Sequence, residues 1–400
     1  MYAGLPELAS PPRPVIRSRA VKAVLDNDQI RSLADRCVQC GLCLPHCPTY
    51  RAEQHEGESP RGRIVLAKAL AGEPSIALVA AAKTSLDHCL GCRACEAACP
   101  AEVEFGRLLI AGRGRVAQHF PPRLRARFLL WLIEHPAWLK IAMSFAGRWP
   151  GPTWLRIRVP APHSGWHAVA GDPRGSVALF TGCIATYLDS AAHAAAIRCL
   201  NRRGWNVYVL PGDACCGSLH DHAGLPNRAE HFRHKLRQEL PAGATFTALV
   251  GCSSGCIEGA RTACAPLPVS DLMSFLDQQD EATTSHPSNS VPVLMHVPCT
   301  LRNVLKQPTA GQATLRRAGV TEITELPAGC CGAGGWNSWL DPSRSEAVFA
   351  PLREWLSKQS PSNLLSHNIG CRLHLQRQLG PTHAVLHPIE LLDQRDQARE

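Results

Sequence analysis

No stretch of this 400-residue chain approaches the ~18 consecutive apolar residues of a membrane span. The first thirty residues are polar and rich in proline and arginine, without an apolar run of signal-peptide type. No Gly-x-Gly-x-x-Gly follows a strand-like run, which removes the simplest dinucleotide site. No serine nucleophile is expected to act here, and no pair of carboxylates is placed for acid–base work. The basic residues lack the features of a nucleic-acid module, so no nucleic-acid partner is expected. These absences leave little on the chain for substrate chemistry. Cysteine, by contrast, is abundant: nineteen residues, many in C-x2-C and Cys-Cys pairs. A reducing, cytoplasmic compartment is the expectation, with thiols used for metal rather than disulfides.

Eight cysteines fall in two matching runs, Cys37-x2-Cys40-x2-Cys43-x3-Cys47-Pro48 and Cys89-x2-Cys92-x2-Cys95-x3-Cys99-Pro100. This is the ligand spacing of a ferredoxin with two 4Fe-4S clusters, in which the fourth cysteine of each run serves the other cluster. The expected sets are Cys37, Cys40, Cys43 and Cys99 for one cluster, and Cys89, Cys92, Cys95 and Cys47 for the other. Zinc or disulfides are the alternative use of such cysteines, but two complete copies of the run favour clusters.

The length suggests two or three domains. Residues 1–35 read as an N-terminal arm running into a helix that ends near Arg36. Residues 36–115 hold both cluster runs, with 41 residues between Cys47 and Cys89. Arg63 to Leu78 reads as one helix, with Ile64, Val65, Ala67, Leu70 and Ala71 on its apolar side. Residues 116–174 form a basic, Trp-rich helical linker. Ala101–Pro160 carries ten Arg or Lys against three acids, and five of the nine tryptophans lie between Trp131 and Trp166.

The second half is duplicated. Cys183 matches Cys299 at an offset of 116, Cys215-Cys216-Gly217 matches Cys330-Cys331-Gly332 at 115, and Gly255-Cys256 matches Gly370-Cys371 at 115. The repeats span 175–278 and 291–395, joined by the hydrophilic stretch Gln278–Ser290. Apolar runs at Ser176–Phe180, Val207–Leu210, Thr247–Val250 and Val291–Met295 read as strands, with helices such as Thr186–Leu200 and Ala310–Ala318 between them. Strands alternating with helices predict small parallel α/β sheets, with ligands at the strand C-terminal ends. The whole chain is thus expected to be multidomain, of α+β and α/β class.

Each repeat offers a thiol set: Cys183, Cys215, Cys216 and Cys256, with Cys252 as a further candidate, and Cys299, Cys330, Cys331 and Cys371. Vicinal cysteines bond poorly to each other but can both reach one metal or iron-sulfur cluster. The glycine after each pair allows close backbone approach. Cys199 and Cys264, each alone on a helix-like stretch, read as inert core residues. In Pro60-Arg-Gly-Arg63 the arginines read as a solvated pair, and His46 as exposed beside Cys47.

Several segments together resemble the iron-sulfur subunit of glycolate oxidase (glycolate dehydrogenase). They are Cys37-Val-Gln-Cys-Gly-Leu-Cys-Leu-Pro-His-Cys-Pro-Thr-Tyr, Ser59-Pro-Arg-Gly-Arg-Ile, Cys89-Leu-Gly-Cys-Arg-Ala-Cys-Glu-Ala-Ala-Cys-Pro, both Cys-Cys-Gly triplets, Asn368-Ile-Gly-Cys-Arg-Leu-His-Leu and His387-Pro-Ile-Glu-Leu-Leu-Asp. The resemblance covers about residues 30–395. It implies a helical two-cluster ferredoxin domain followed by duplicated cysteine-rich (CCG) domains. It further implies an electron-transfer subunit of an oxidoreductase complex. A partner subunit with FAD would oxidise glycolate to glyoxylate, and quinone or another acceptor would take the electrons. The corresponding subunits of anaerobic glycerol-3-phosphate dehydrogenase and of lactate oxidation share the plan. Heterodisulfide reductase carries catalytic five-cysteine sites ending in C-x2-C. Here repeat one ends in Cys252-Ser-Ser-Gly-Cys256, and repeat two has His367-Asn-Ile-Gly-Cys371 with no second cysteine. For the basic, Trp-rich segment three readings stand open: contact with the cytoplasmic face of the inner membrane, docking on an acidic partner subunit, or a linker packed on its own protein.

Overall fold

The computed structural model describes residues 25–148, 160–279, 292–359, 363–380 and 384–398. Most of the N-terminal arm, residues 149–159 of the Trp-rich segment and residues 280–291 between the repeats lie outside this set.

The N-terminal unit is helical. Asp26 caps Asn27–Asp35 through a reciprocal box: its carboxylate accepts from Gln29 N at 2.8 Å, and Gln29 Oε1 accepts from Asp26 N at 3.1 Å. Ser59 caps Pro60–Leu70, which has proline at its first position. The single helix expected over Arg63–Leu78 is in fact two, Pro60–Leu70 and Ile76–His88. Pro74 cannot continue a helix, and Ser75 caps the next one by accepting from Leu78 N at 3.3 Å. Val65, expected on the apolar side, is exposed, whereas Ile64, Ala67, Leu70 and Ala71 are buried. Of these, Ile64, Leu70 and Ala71 join Val79, Leu86, Phe105, Leu108, Leu109 and Val116 in one core beneath the cysteine loops, which extend from it. The last helix of the unit, Phe105–His119, packs on both earlier helices.

Helices Leu124–Glu134 and Pro136–Arg148 follow. Ala126, Leu129, Leu130 and Ile133 pack inward, against Trp336, Leu219, Cys183, Cys215 and Phe232. Leu124, Phe128 and Trp131 of the first helix and Trp138 and Ile141 of the second are exposed.

Each repeat is a parallel sheet. Strands β1 (Gly165–His167), β2 (Gly175–Phe180), β3 (Trp205–Val209), β4 (Ala248–Gly251) and β5 (Val269–Asp271) are ordered β1-β3-β2-β4-β5, with β1 antiparallel at the edge. Strands β6 (Val293–His296), β7 (Ile323–Glu325), β8 (Asn363–Ser366) and β9 (Val385–Leu386) are ordered β7-β6-β8-β9. Apart from β1, both sheets place the first strand between the second and third. The register agrees as well: Val177 faces Ala248, and Val293 faces Asn363. The order reverses beside the first strand, so a crevice opens there at the strand C-terminal ends. The helix expected over Thr186–Leu200 breaks at Asp189 into Ala185–Leu188 and Ser190–Arg202, and the one expected over Ala310–Ala318 is shortened to Gln312–Arg317.

The repeats are interlocked by their last helices. Leu272–Gln279 closes repeat one, yet its Asp277 accepts from Gly311 N at 2.6 Å and Thr314 N at 2.8 Å in repeat two. Pro388–Gln397 closes repeat two, yet its Asp393 binds Arg198 at 2.5 Å and Arg202 at 2.7 Å in repeat one. A buried polar seam completes the join. Arg372 pairs with Asp189 and, at 3.1 Å, with Glu390, while His367 meets Asp271 at 3.2 Å.

Candidate metal and electron-transfer centres

The two ferredoxin loops curl in the same way. Gln39 and Gly41 have positive φ in the first, Gly91 and Arg93 in the second. Such left-handed residues let three cysteines at x2 spacing turn toward one point. A pocket is lined by Cys37, Cys40, Cys43 and Cys99, with Cys95, Ile64 and Phe105 on its walls. Cys47 keeps company with the other run: the charges felt by Cys95 come chiefly from Cys92, Cys89 and Cys47. The fourth cysteine of each run therefore lies with the first three of the other. Burial, followed by the neighbouring thiols, pushes Cys92 and Cys95 well above their ordinary values. Left alone, such buried groups stay neutral thiols; ionised as ligands they would need a cation, and soft thiolates at this spacing suit iron-sulfur clusters.

The two sets differ in surroundings. Cys40 is exposed and Cys37, Cys43 and Cys99 half-buried, whereas Cys47, Cys89, Cys92 and Cys95 are buried. Around the buried set lies a polar network that corrects the solvated reading of Arg63. Its side chain is 1 % exposed, the largest among the fully buried ones. It donates to Ser85 O at 2.7 Å, Thr49 Oγ1 at 2.9 Å and Glu58 Oε2 at 2.5 Å, and approaches Cys47 Sγ at 3.8 Å. Burial works to raise Glu58, but His88, Arg63 and Arg344 outweigh it and hold the carboxyl below its usual value. Arg113, also buried, donates to the Cys89 carbonyl at 2.7 Å. Sequence reasoning missed both arginines because their partners come from distant segments. Arg61 does lie at the surface, paired with Glu56 at 2.7 Å, and His46 is exposed.

In the repeats, each thiol set converges at the crevice. Cys183 follows β2, Cys215 and Cys216 follow β3, and Cys256 lies in the first turn of the helix after β4. Cys215 is hydrogen-bonded to Cys183 and Cys216, and Cys216 to Cys256. The bond to Cys215 pulls Cys216 down, while that to Cys183 pushes Cys215 up. Cys252 is not part of the group. It is buried among Asp189, Asp271 and Arg372 of the seam. In repeat two the same chain of contacts runs Cys299–Cys330–Cys331–Cys371. A buried histidine that nothing in the sequence singles out, His296, joins Cys331 and Cys371, their ligand atoms all within 4.8 Å of one another. Gly217 and Gly332 follow the pairs at φ +76° and +88°, and a Cβ on either would meet a backbone oxygen, Ala229 O or Ser345 O, at 2.5 Å. Cys199 and Cys264 lie buried in the core, with Arg203 and Asp396 beside the first and Arg237 beside the second rather than another thiol.

The buried ferredoxin set abuts repeat two. Asn303 Nδ2 donates to Cys92 O at 2.9 Å and Asn337 Nδ2 to Cys89 O at 3.3 Å. The Cys92 thiol feels the charge of Cys299, and Cys330 that of Cys92. Helix Leu124–Glu134 roofs the repeat-one set through Ile133.

Residues 33–103 match the family described as 4Fe-4S dicluster domain, and residues 177–257 and 293–376 the family described as cysteine-rich domain. The chain is 29% identical to the glycolate oxidase iron-sulfur subunit of Escherichia coli K12, over 91% of this chain and 94% of that one. It is 26% identical to the probable glycolate oxidase iron-sulfur subunit of Bacillus subtilis 168, over 85% and 88%. One subunit of the fumarate reductase (CoM/CoB) of Methanothermobacter marburgensis is 24% identical over 89% of this chain and 71% of that protein.

Proposed function

We infer, for a chain that belongs to the 4Fe-4S dicluster and cysteine-rich domain families and is a homologue of glycolate oxidase iron-sulfur subunits, that it relays electrons within a glycolate-oxidising complex. A partner subunit bearing FAD takes two electrons from glycolate, giving glyoxylate, and a quinone or similar acceptor receives them. When bound, 4Fe-4S clusters accept and release one electron at a time with little change of geometry. Cys37, Cys40, Cys43 and Cys99 would hold one, and Cys89, Cys92, Cys95 and Cys47 the other. The observation that carries the reading is the gradient of burial: one ligand set open at Cys40, the next enclosed and lying against the thiols of repeat two. Arg63 and Arg113 place positive charge beside the enclosed set, which favours its reduced state.

Among the described residues no helix is long and apolar enough to cross a membrane. The exposed face of Leu124, Phe128 and Trp131, flanked by Arg125 and Arg127, supports a peripheral contact, placed at the cytoplasmic face of the inner membrane, or a partner-subunit contact. A catalytic, heterodisulfide-reductase-like role is disfavoured, since Cys252 stands apart from the repeat-one thiols.

The test is Cys40→Ser in the assembled complex, serine being a poor ligand for soft iron. Flavin reduction by glycolate should persist while turnover with a dye acceptor is lost and iron per chain falls. Wild-type turnover would sink the relay. Glycerol 3-phosphate or lactate supporting turnover in place of glycolate would retain the relay and replace the substrate.

A further inference from the structure

Repeat two carries a donor that repeat one lacks. His296 ends β6, three residues before Cys299, and the corresponding residue of repeat one, three before Cys183, is Phe180 at the end of β2. The His296 side chain is 3 % exposed. Its Nδ1 is engaged by Ser366 Oγ at 2.9 Å, from the end of β8. Its Nε2 is buried with no hydrogen-bond partner, in a residue whose ligand atom lies within 4.8 Å of the Cys331 and Cys371 sulfurs. Burying a bare polar nitrogen is unfavourable, which bonding to a metal would offset. A proton held on Nδ1 by Ser366 leaves the Nε2 lone pair free, the usual arrangement of a ligating histidine whose other nitrogen is fixed by a hydrogen bond.

We propose that His296 Nε2 is a metal ligand of the second repeat. The centre there has mixed ligation, with the imidazole beside the Cys331 and Cys371 thiolates and Cys299 and Cys330 completing the thiol chain. The proposal rests on reading the repeats as metal sites within the relay. It turns the missing second cysteine of repeat two into a substitution of donor rather than a loss. A neutral imidazole in place of a thiolate removes one negative charge from the centre, and exchange of cysteine for histidine raises the potential of iron-sulfur centres. The repeats, alike in fold, then differ in donor set: four thiols under the helical roof, and the same four with an added imidazole beside Cys92.

The experiment is anomalous scattering at the iron and zinc edges from crystals of the anaerobic holoprotein, paired with redox titration of His296→Cys and His296→Ala. The expected result is a metal in repeat two with His296 Nε2 at about 2 Å. His296→Cys should keep that metal and lower one midpoint potential only, and His296→Ala should lose the metal or shift its spectrum. A metal in repeat two with His296 outside bonding distance overturns the proposal. So does a repeat two without metal, or unchanged potentials in His296→Cys. Cys40→Ser tests the relay separately, so an active relay beside a metal-free repeat two would sink this proposal alone.

Discussion

The ferredoxin unit and the paired repeats both gather thiols, but they treat solvent differently. In the ferredoxin unit the ligand sets run from exposed Cys40 to buried Cys92. In the repeats none of the cysteines is exposed. One unit thus presents a sulfur to whatever docks outside, while the other keeps its sulfurs between sheet ends, a roof helix and the ferredoxin itself. Exposure and hydrogen bonds to sulfur set potential as much as ligand identity does. Under the proposed relay, the contrast makes the Cys37–Cys43 loop the surface at which a redox partner would meet the chain.

The strongest way to break the contrast is Arg63→Met. It takes from buried Glu58 its Arg63 partner and leaves His88 and Arg344, and breaking a buried pair costs up to ~3–5 kcal/mol. Denaturant midpoints of the holoprotein should fall accordingly, with loss of the absorbance of the enclosed cluster. Arg61→Met, two residues away in a surface pair, should cost under ~1 kcal/mol. Equal effects would show that the two sides of the loop are alike.

Next comes Gly332→Ala. The left-handed backbone alone costs ~1–2 kcal/mol, and the Ser345 carbonyl at 2.5 Å must also move. Gly41→Ala, at φ +81° with the flexible tip of Arg61 at 3.4 Å as its nearest neighbour, should pay the backbone cost only. Thermal unfolding together with metal content separates them: metal in repeat two should fall for the first and not for the second.

A smaller effect comes from acid. Burial pushes His193 down to about 4, with Asp189 opposing and Arg372 assisting; its neighbour His387 is itself pushed well below its ordinary value by burial and by Arg372. The unfolded imidazole titrates near 6.5, so between about 6.5 and 4 the unfolded chain binds the extra proton and stability falls as pH falls. The slope is at most ~1.4 kcal/mol per pH unit for this group. His193→Gln should flatten the pH dependence of repeat unfolding in this window while leaving the ferredoxin spectrum unchanged. An identical slope would remove His193 from the account.

The smallest is Arg127→Gln, worth ~1 kcal/mol at an anionic surface. Sedimentation of the complex with anionic vesicles should weaken several-fold and that with neutral vesicles should not. No change with either would leave helix Leu124–Glu134 as a packed linker with an idle outer face.

The two cysteine runs, the duplication and the role of the Cys-Cys-Gly glycine were readable because each rests on spacing or on a local backbone demand. The break after Leu70 was less so. The apolar pattern carries across it, and only Pro74 and Ser75 mark the stop. Arg63, Cys252 and His296 were not readable in their actual roles, since each is defined by what distant segments bring to it. Thr49, Glu58 and the Ser85 carbonyl hold Arg63 in place, the seam claims Cys252, and the end of β8 orients His296. The interlocked last helices were hidden for the same reason: nothing in Asp277 or Asp393 says that its partner lies in the other repeat.

The roof over repeat one has a consequence for biogenesis. The helix Leu124–Glu134 is continuous in sequence with the ferredoxin unit, yet the thiols it covers belong to residues made later, Cys183 and Cys215. With the repeats read as metal sites, metal would reach that site before the ferredoxin settles onto the repeats, because afterwards Ile133 and Phe232 cover the thiols. That reading gives maturation an order, metal first and docking second.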